Sequence, residues 1–417
     1  GLAAMLAITL WSNGSGRVFI FAASFAAFEW VRGHILTGFP WNAPAYAADA
    51  VLPIAQSASL VGLYGLCFLI VLWGAAPAML VQRLNNRGRS VGLIVVGASM
   101  LSVAVFGVWR LAQAETAFQP GIELRVVQPN IAQKDKWQPE NRRWIYRRYL
   151  EMTRRDDTGQ SLRLVIWPES ALPALLDEQA GTRQQIATAA GDNSFTILGS
   201  LRRRSDTQAG TLSNSVLVIS DDGSIAGRYD KQKLVPFGEY LPLAQLFEPL
   251  GLRKLVSLPS GFVSGPGPST IHVEGVPPFA PLICYEAIFP RDMINQADRP
   301  AWLVNVTNDA WFGNSAGPYQ HLAQARLRAI EEGLPLIRSA NTGVSAVIDP
   351  MGRILHHIEL SQRGIIDAKL PIPARITAYA QYGDWLFLCL ILLAVLLPCT
   401  DFFLRKSIEI RKNIAVV

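Results

Sequence analysis

The sequence predicts membrane-spanning α-helices combined with one α/β domain of layered sheets and helices, inserted before the last span. Hydrophobic residues make up 50% of the 417 residues and charged residues only 17%, and the mean hydropathy of +0.23 is too high for a purely soluble protein. The longest apolar runs lie near the two ends, whereas the middle alternates β-type and helical stretches. We therefore expect transmembrane helices in residues 1–114, the α/β domain in 115–380, and a last helix with a basic tail in 381–417.

Four apolar runs approach the ~20 residues that an α-helix needs to cross a bilayer core. They lie near residues 18–37, 61–82, 91–112 and 384–404. The shorter run from Gly1 to Leu10 predicts the stub of a fifth span. Because the chain does not begin with Met, we expect its N-terminal part to be incomplete.

Basic residues beside the spans predict the orientation of the protein. Arg83, Arg87 and Arg89 lie in the short loop between the second and third full spans, and basic residues from Arg405 to Lys412 follow the last. Lys and Arg are enriched in cytoplasmic loops, so we expect both segments on the cytoplasmic side. The α/β domain then lies across the membrane from them, and a single topology satisfies both signals.

The middle of the chain alternates β-type runs with helical stretches, which is typical of layered sheets and helices. Most of the β-type runs are nearly all apolar, as expected of strands covered on both faces. The predicted strands are 122–128, 162–167, 195–199, 215–219, 271–273, 279–284, 302–306, 334–339 and 345–348, and the predicted helices are 140–155, 184–190 and 320–332. The connection 241–263 is unusually apolar, and we expect it either to pack on its own domain or to form a lid at the lipid interface.

Charge and cysteine usage exclude several function classes. The net charge of +6 comes mostly from loops and the tail, without the interleaving of basic and aromatic residues that indicates nucleic-acid binding. Cys67, Cys389 and Cys399 lie in apolar runs, which leaves Cys284 as the one thiol of the middle region. We therefore expect no disulfide framework, no metal site and no cofactor. The histidines lack metal-ligand spacing, which favours core or surface roles.

Cys284 ends an apolar β-type run, where a thiol can be exposed at the rim of a sheet while packing fixes its backbone. A core position is the commoner fate of a free cysteine. Two further residues favour catalysis, because Glu169 and Lys231 also follow β-type runs. Acyl transfer through a thiol requires a nucleophile, a proton acceptor and a cation beside the oxyanion, and these three side chains supply them.

The motifs around these residues resemble the nitrilase (carbon–nitrogen hydrolase) superfamily and, more narrowly, the apolipoprotein N-acyltransferase family within it. The resemblance covers essentially the whole chain, although members of the narrower family carry more spans than this chain shows. It implies a nitrilase-like αββα sandwich, inserted before the last transmembrane helix. It implies Glu169 as base, Lys231 as oxyanion stabiliser and Cys284 as nucleophile. It further implies supporting or substrate-binding roles for Glu239, Tyr285, Glu286 and Trp137. The motifs are 126–133, 167–170, 229–231, 234–239, 283–286 and 307–313.

The resemblance also implies the reaction and its partners. A fatty acyl chain of a membrane phospholipid would pass, through a cysteine thioester, to the N-terminal α-amine of the diacylglyceryl-cysteine of apolipoproteins, in a ping-pong mechanism. The protein would be a multi-pass protein of the bacterial inner membrane, with its catalytic domain on the periplasmic side. The sequence itself provides the three residues and the anchoring, whereas donor and acceptor come from the resemblance alone.

Two alternatives remain open, and one motif weakly suggests a third. A membrane-tethered amidase of the nitrilase type would share Glu169, Lys231 and Cys284 but hydrolyse small amides. A membrane sensor with an inactive domain is disfavoured because the three residues are intact. A serine hydrolase is suggested by the G-x-S-x-G pattern 313–317 around Ser315, but the strand and helix that should flank this pattern are not predicted there.

Overall fold

The computed structural model describes residues 1–11, 14–81, 86–154, 161–204, 211–242 and 261–396. The chain forms two compact units. The first comprises Gly1–Glu115, Ile330–Gly333 and the segment from Arg375 onward, and the second comprises Thr116–Ala329 and Leu334–Ala374. The domain limits predicted from the sequence remain a prediction, because compact packing alone does not define where an independently folding domain ends.

The α-helices of the described residues are short in the linkers and long in the apolar runs. They are α1 Leu2–Thr9, α2 Gly16–His34, α3 Leu52–Ala55, α4 Ala58–Ala75, α5 Ala78–Val81, α6 Asn86–Gln113, α7 Gln133–Lys136, α8 Arg142–Thr153, α9 Ala180–Ala190, α10 Gly317–Glu332, α11 Ala378–Tyr382 and α12 Trp385–Leu396. All three helices predicted for the middle region are confirmed as α8, α9 and α10.

The first unit is helical. Within the described residues, three helical stretches are long and apolar enough to cross a membrane: Gly16–Thr37, Ala58–Val81 and Gly88–Gln113. They confirm apolar helices of spanning length at three of the four predicted spans, and they are candidate membrane spans by length and composition. Of the fourth, the structure describes the apolar helix α12, and residues 397–404 lie outside the described part of the chain. The predicted stub corresponds to α1.

The second predicted span contains a break. Gly62, inside α4, has φ +66° and ψ −172°, which is far from helical geometry. A Cβ at this position would lie 2.1 Å from Cε2 of Tyr379 in the same unit, so only glycine fits. The apolar run 61–82 therefore predicted the helix but not this interruption.

The strands of the second unit are β1 Phe118–Gln128, β2 Leu162–Ile166, β3 Ser194–Arg203, β4 Leu212–Ser220, β5 Ile225–Asp230, β6 Ile271–Val273, β7 Val276–Ile283, β8 Trp302–Thr307, β9 Leu336–Ala340, β10 Ser345–Ile348, β11 Ile354–Ile358 and β12 Gly364–Pro371. The described strands form two six-stranded sheets in the orders β12-β1-β2-β3-β4-β5 and β11-β10-β9-β8-β7-β6. Strands β1, β2 and β3 are parallel, as are β7, β8 and β9, and the remaining pairs are antiparallel.

The two sheets pack face to face between helices, which confirms the predicted αββα sandwich. Ser345, at the start of β10, donates its backbone N–H to Oε1 of Gln128 at the end of β1, over 2.9 Å. Helices α8 and α9 cover the outer face of the first sheet through a buried cluster that includes Tyr149, Trp167 and Ile186. Helix α10 lies against the second sheet, where His321 and Arg328 hydrogen-bond to carbonyl oxygens that follow β7.

All nine predicted β-type runs lie on strands of these sheets, but β5, β11 and β12 were not predicted. These three strands are antiparallel to their neighbours and carry polar residues among apolar ones, such as His356 and His357 on β11. A search for continuous apolar runs favours strands covered on both faces. The apolar connection 241–263 lies largely outside the described residues, which do not include 243–260.

Candidate active site

The candidate site is built where strands end. Lys231 directly follows β5, Cys284 directly follows β7, and Glu169 comes three residues after β2. The structure brings these side chains together. Nζ of Lys231 lies 3.6 Å from Oε1 of Glu169, and the Cys284 thiol interacts electrostatically with both.

Lys231 is fully buried between two carboxylates. Its Nζ donates to Oε1 of Glu239 over 2.8 Å, and only 1% of the residue is exposed. Burial disfavours the ammonium, but the carboxylates of Glu239 and Glu169 outweigh this cost and hold the pKa of Lys231 above its ordinary value. Lys231 is therefore a fixed cation at neutral pH.

Glu169 is held in place by two hydrogen-bond donors in addition to its ion pair with Lys231. Its Oε1 accepts a hydrogen bond from Nδ2 of Asn214 at 2.6 Å, and its Oε2 accepts one from the backbone N–H of Asn308 at 2.9 Å. Nδ2 of Asn214 also lies 3.4 Å from Oε1 of Glu239. The amide thus spans both glutamates, and the carboxylates keep one orientation around Lys231.

Cys284 lies at a strained turn. Its φ is +49°, which is unfavourable for any residue other than glycine. The residue is partly buried. Burial and the Glu169 carboxylate raise the pKa of the Cys284 thiol, against the lowering effect of Lys231. The resting thiol is therefore protonated at neutral pH, so attack requires a base.

A buried ionic network supports the backbone of Cys284. His321 on α10 hydrogen-bonds through Nε2 to the carbonyl oxygen of Cys284 at 2.9 Å and through Nδ1 to Oδ1 of Asp309 at 2.8 Å. Arg338 donates to Oδ2 of Asp309 at 2.6 Å. Potential ligand atoms of Cys284, Asp309 and His321 lie within 4.8 Å of one another, but a guanidinium already neutralises Asp309, which disfavours a metal ion there.

Glu239 and Glu286 hold the chain around the site. Oε2 of Glu239 accepts the backbone N–H of Val235 at 2.9 Å. Glu286 is completely buried, and its carboxylate accepts hydrogen bonds from one side chain and three backbone N–H groups. The donors are Tyr229 Oη, Gln232 N, Lys233 N and Ile283 N. Glu286 therefore ties the segment of Lys231 to the turn of Cys284, and its burial favours a supporting role over substrate binding.

The two aromatic residues proposed for the site differ in exposure. Tyr285 is 6% exposed, and its ring packs edge-on against Phe289 with centroids 5.0 Å apart. Trp137 is 45% exposed and follows α7, whose last residue is the buried Lys136. Nζ of Lys136 donates to the backbone carbonyl of Glu169 at 3.1 Å. Trp137 is thus placed where an incoming substrate could meet it.

Sequence reasoning missed four residues of this site: Lys136, Asn214, Asn308 and His321. The signal for Lys136 was its place beside Trp137, and that for Asn308 was its place directly after β8. Asn214 lies inside β4 and His321 inside α10, so nothing local marks either. Contacts among the described residues do not support the serine hydrolase pattern. The exposed Ser315 accepts a hydrogen bond from Gly317 N, and His357 pairs with Glu359.

Comparison with known proteins places the chain in a family. Residues 123–381 match the carbon–nitrogen hydrolase family, and residues 1–76 match the N-terminal domain of apolipoprotein N-acyltransferase. The apolipoprotein N-acyltransferase of Bradyrhizobium diazoefficiens is 45% identical over 404 residues, covering 94% of this chain and 75% of that protein.

Two further relatives carry the same name. The apolipoprotein N-acyltransferase of Rhodopseudomonas palustris is 42% identical over 391 residues, covering 91% of this chain and 72% of that protein. That of Brucella melitensis is 40% identical over 400 residues, covering 94% and 74%. The chain therefore belongs to the carbon–nitrogen hydrolase superfamily and, within it, to the apolipoprotein N-acyltransferase family.

Proposed function

We propose that this protein transfers a fatty acyl chain from a membrane phospholipid, through a thioester on Cys284, to the N-terminal α-amine of the diacylglyceryl-cysteine of apolipoproteins. The observation that carries the proposal is the contact of Lys231 with both Glu169 and Glu239 beside the Cys284 thiol. The names of the family's members supply the lipoprotein acceptor. Apolar helices long enough to cross a membrane support a phospholipid donor.

In the first half-reaction, Glu169 takes the proton of the Cys284 thiol while sulfur attacks the ester carbonyl carbon. The C–S bond forms, the carbonyl π electrons move to oxygen, and Lys231 stabilises the resulting oxyanion. When the oxyanion collapses, the C–O bond to the glycerol breaks. Glu169 returns its proton to the leaving alkoxide, so the products are a lysophospholipid and an acyl thioester.

In the second half-reaction, the lipoprotein's α-amine attacks the thioester carbonyl. The C–N bond forms, the C–S bond breaks, and Glu169 carries the amine proton to the departing Cys284 sulfur. An amide and the free thiol result. Thioesters are good acyl donors to amines, so this step needs no further activation beyond Lys231 at the oxyanion.

Exposed aromatic side chains support an apolar substrate. They lie on segments that also contribute residues to the site or adjoin it. These segments are the end of α7, the loop between Lys231 and Glu239, the turn after β8, and the start of α10. Water-exposed rings of this size favour contact with acyl chains or a lipid surface. The five residues are Trp137, Phe237, Trp311, Phe312 and Tyr319.

The test is detection of the acyl-enzyme on intact protein. Purified protein in phospholipid vesicles without any lipoprotein acceptor should gain the mass of one acyl chain, and neutral hydroxylamine should remove it. Cys284→Ala should carry no adduct. Lys231→Met should form it about 10²- to 10³-fold more slowly, the cost of losing one oxyanion partner. Addition of a diacylated lipopeptide should then discharge the wild-type adduct.

Ser315→Ala is the matched control and should acylate as fast as the wild type. Acylation of Ser315, or an unmodified Cys284 in protein that is otherwise active, would contradict the thioester mechanism. Hydrolysis of small amides without acylation by phospholipid would instead identify a membrane-tethered amidase.

A further inference from the structure

Lys136 is a buried ammonium that the mechanism above does not use. It ends α7, and only 1% of the residue is exposed. Among the described residues, its Nζ makes a single hydrogen bond, to the backbone carbonyl of Glu169 at 3.1 Å. Its Nζ also lies 6.0 Å from the centroid of the Trp137 ring, so two N–H groups of a charged, buried side chain have no hydrogen-bond acceptor among the described residues. An arrangement this costly needs a compensating interaction.

The charges of the site indicate what that interaction is. Glu169 and Glu239 contribute two negative charges, and Lys231 neutralises only one of them. If the thiol proton leaves the site, as in alkylation of the free enzyme, a thiolate on Cys284 would then be the second uncompensated negative charge in a buried cluster. With Lys136 counted, the resting cluster is neutral, and the thiolate is the only excess charge.

The surrounding charged groups do not replace Lys136 in this balance. Arg338 is engaged by Asp309, whose carboxylate it neutralises. The Glu286 carboxylate is satisfied by one hydroxyl and three backbone donors. The charged partners that face Lys136 are Glu169 and Cys284. Its ammonium therefore acts on the proton acceptor and the nucleophile.

We propose that Lys136 is a positioning residue of the reaction, whose ammonium balances the second carboxylate of the site and stabilises the Cys284 thiolate. The proposal rests on the assignment of Cys284 as nucleophile in the proposed function. It adds that the site contains two ammonium groups, one at the carboxylate of Glu169 and one at its backbone carbonyl.

The protonation of Lys136 is compatible with this role. Burial lowers the pKa of Lys136, and the negative charges of Glu169 and Cys284 oppose that effect, leaving it at about 8. The side chain is therefore still mostly charged at neutral pH. Removing it should relieve a desolvation cost, so Lys136→Met should unfold at the same temperature as the wild type or higher.

The experiment measures the thiol directly and needs no acyl donor or acceptor. Iodoacetamide alkylation of Cys284 is followed by peptide mass spectrometry between pH 6 and 10 in detergent. In Lys136→Met, the rate should be lower than in the wild type below about pH 8, and the two rates should converge above it, where Lys136 of the wild type loses its charge. The rate at pH 7 should be about tenfold lower, since one unit of pKa is a factor of ten in thiolate.

Two variants separate charge from shape. Lys136→Arg keeps the charge, and its profile should stay close to that of the wild type. Lys134→Met removes an exposed ammonium from the same short helix and should change nothing. A Lys136→Met profile that overlays the wild type overturns the proposal, as does a Lys136→Arg profile shifted as far as that of Lys136→Met.

Failure of Lys136→Met to fold would also overturn the proposal, because it would assign the buried ammonium a structural role. The test is independent of the acyl-enzyme experiment. A shifted alkylation profile without any acyl-enzyme would retain the role of Lys136 and reject the phospholipid donor. An acyl-enzyme together with an unshifted alkylation profile would retain the phospholipid donor and reject the role of Lys136.

Discussion

Two fully buried carboxylates near Cys284 differ in pKa because only one of them contacts cations. Asp309 faces Arg338 and His321, and although burial alone would raise it, these partners lower the pKa of Asp309 to about 2. Glu286 is equally buried but is surrounded by hydrogen-bond donors without a contacting cation, and burial raises the pKa of Glu286 to about 7. Asp309 is a permanent anion of the fold, whereas Glu286 titrates near neutrality.

This shift gives Glu286 a definite effect on stability. Its pKa rises from an ordinary value of 4.5 to about 7 on folding, so the folded state keeps the proton of Glu286 up to a higher pH than the unfolded state does. The free energy of unfolding of the wild type, relative to Glu286→Gln, should therefore fall by up to about 3 kcal/mol as pH rises from about 4.5 to about 7. It should be flat above pH 7. Thermal unfolding in detergent across this range measures the difference.

The direction of the change in the free energy of unfolding and its pH range make this prediction specific. An acid whose pKa fell on folding would give the opposite slope, gaining stability as pH rises. Glu274→Gln, at an exposed turn, serves as the control and should track the wild type at every pH. A constant difference between wild type and Glu286→Gln from pH 4.5 to 7 would mean that Glu286 stays ionised when buried.

At the scale of elements, the sequence predicted the features that depend on short stretches of the chain, namely most strands and the residues that follow them. Continuous apolar runs located nine of the twelve described strands. Glu169 and Cys284 follow two of these nine strands, whereas Lys231 follows β5, which the runs did not predict. Parallel pairing of β7, β8 and β9 aligns their carboxyl ends. The role of each catalytic residue remains a prediction that the contact geometry supports.

The rest of the site depends on pairings between distant elements. Asn214 lies 45 positions from Glu169 along the chain and reaches it only because β4 pairs with β3. His321 lies 37 positions from Cys284 and meets its carbonyl only after α10 packs on the second sheet. Lys136 looks like an ordinary surface lysine until the Glu169 backbone covers it. Local propensity and periodicity carry no information about such contacts.

The loop of Glu169 depends on one glycine of β3. A Cβ on Gly199 would lie 2.5 Å from Cα of Glu169. The backbone of Gly199 also exchanges hydrogen bonds with this loop, accepting from Ala171 N at 2.8 Å and donating to the carbonyl of Pro168 at 3.2 Å. Gly199 therefore lets the catalytic loop lie directly on the sheet.

Gly199→Ala should displace the carboxylate of Glu169 from Lys231. We expect the rate of acyl-enzyme formation to fall about 10²-fold, the effect of a displacement of about 1 Å at a reacting group. Overpacking should also destabilise the fold by about 1–3 kcal/mol. Single-turnover acylation and thermal unfolding measure the two effects separately.

The matched control is Gly181→Ala on α9, where a new Cβ meets nothing within 4 Å. Because alanine is the better helix former, this variant should be fully active and up to about 1 kcal/mol more stable. A fully active Gly199→Ala would show that the Glu169 loop can move without loss of function.

At the scale of the whole molecule, the proposed reaction requires a defined side of the membrane. Lipoproteins that accept an acyl chain at their N-terminus would have to meet the catalytic site on the side where that amine is presented. The basic loop at Arg87 and Arg89 predicts a cytoplasmic position for the connection before α6, because Lys and Arg are enriched there. If α6 crosses the membrane, we expect the α/β unit on the periplasmic side.

Two single-cysteine variants test this topology, each in a background with Cys284→Ala and the other three cysteines changed to Ser. Glu274→Cys lies at an exposed turn of the α/β unit, and Ser90→Cys lies at the exposed start of α6 beside Arg89. A membrane-impermeant maleimide added to intact spheroplasts should label the first and leave the second unmodified until lysis. The reverse pattern would place the α/β unit in the cytoplasm and the basic loop on the opposite side of the membrane. Labelling of both before lysis would mean that 88–113 does not cross the membrane.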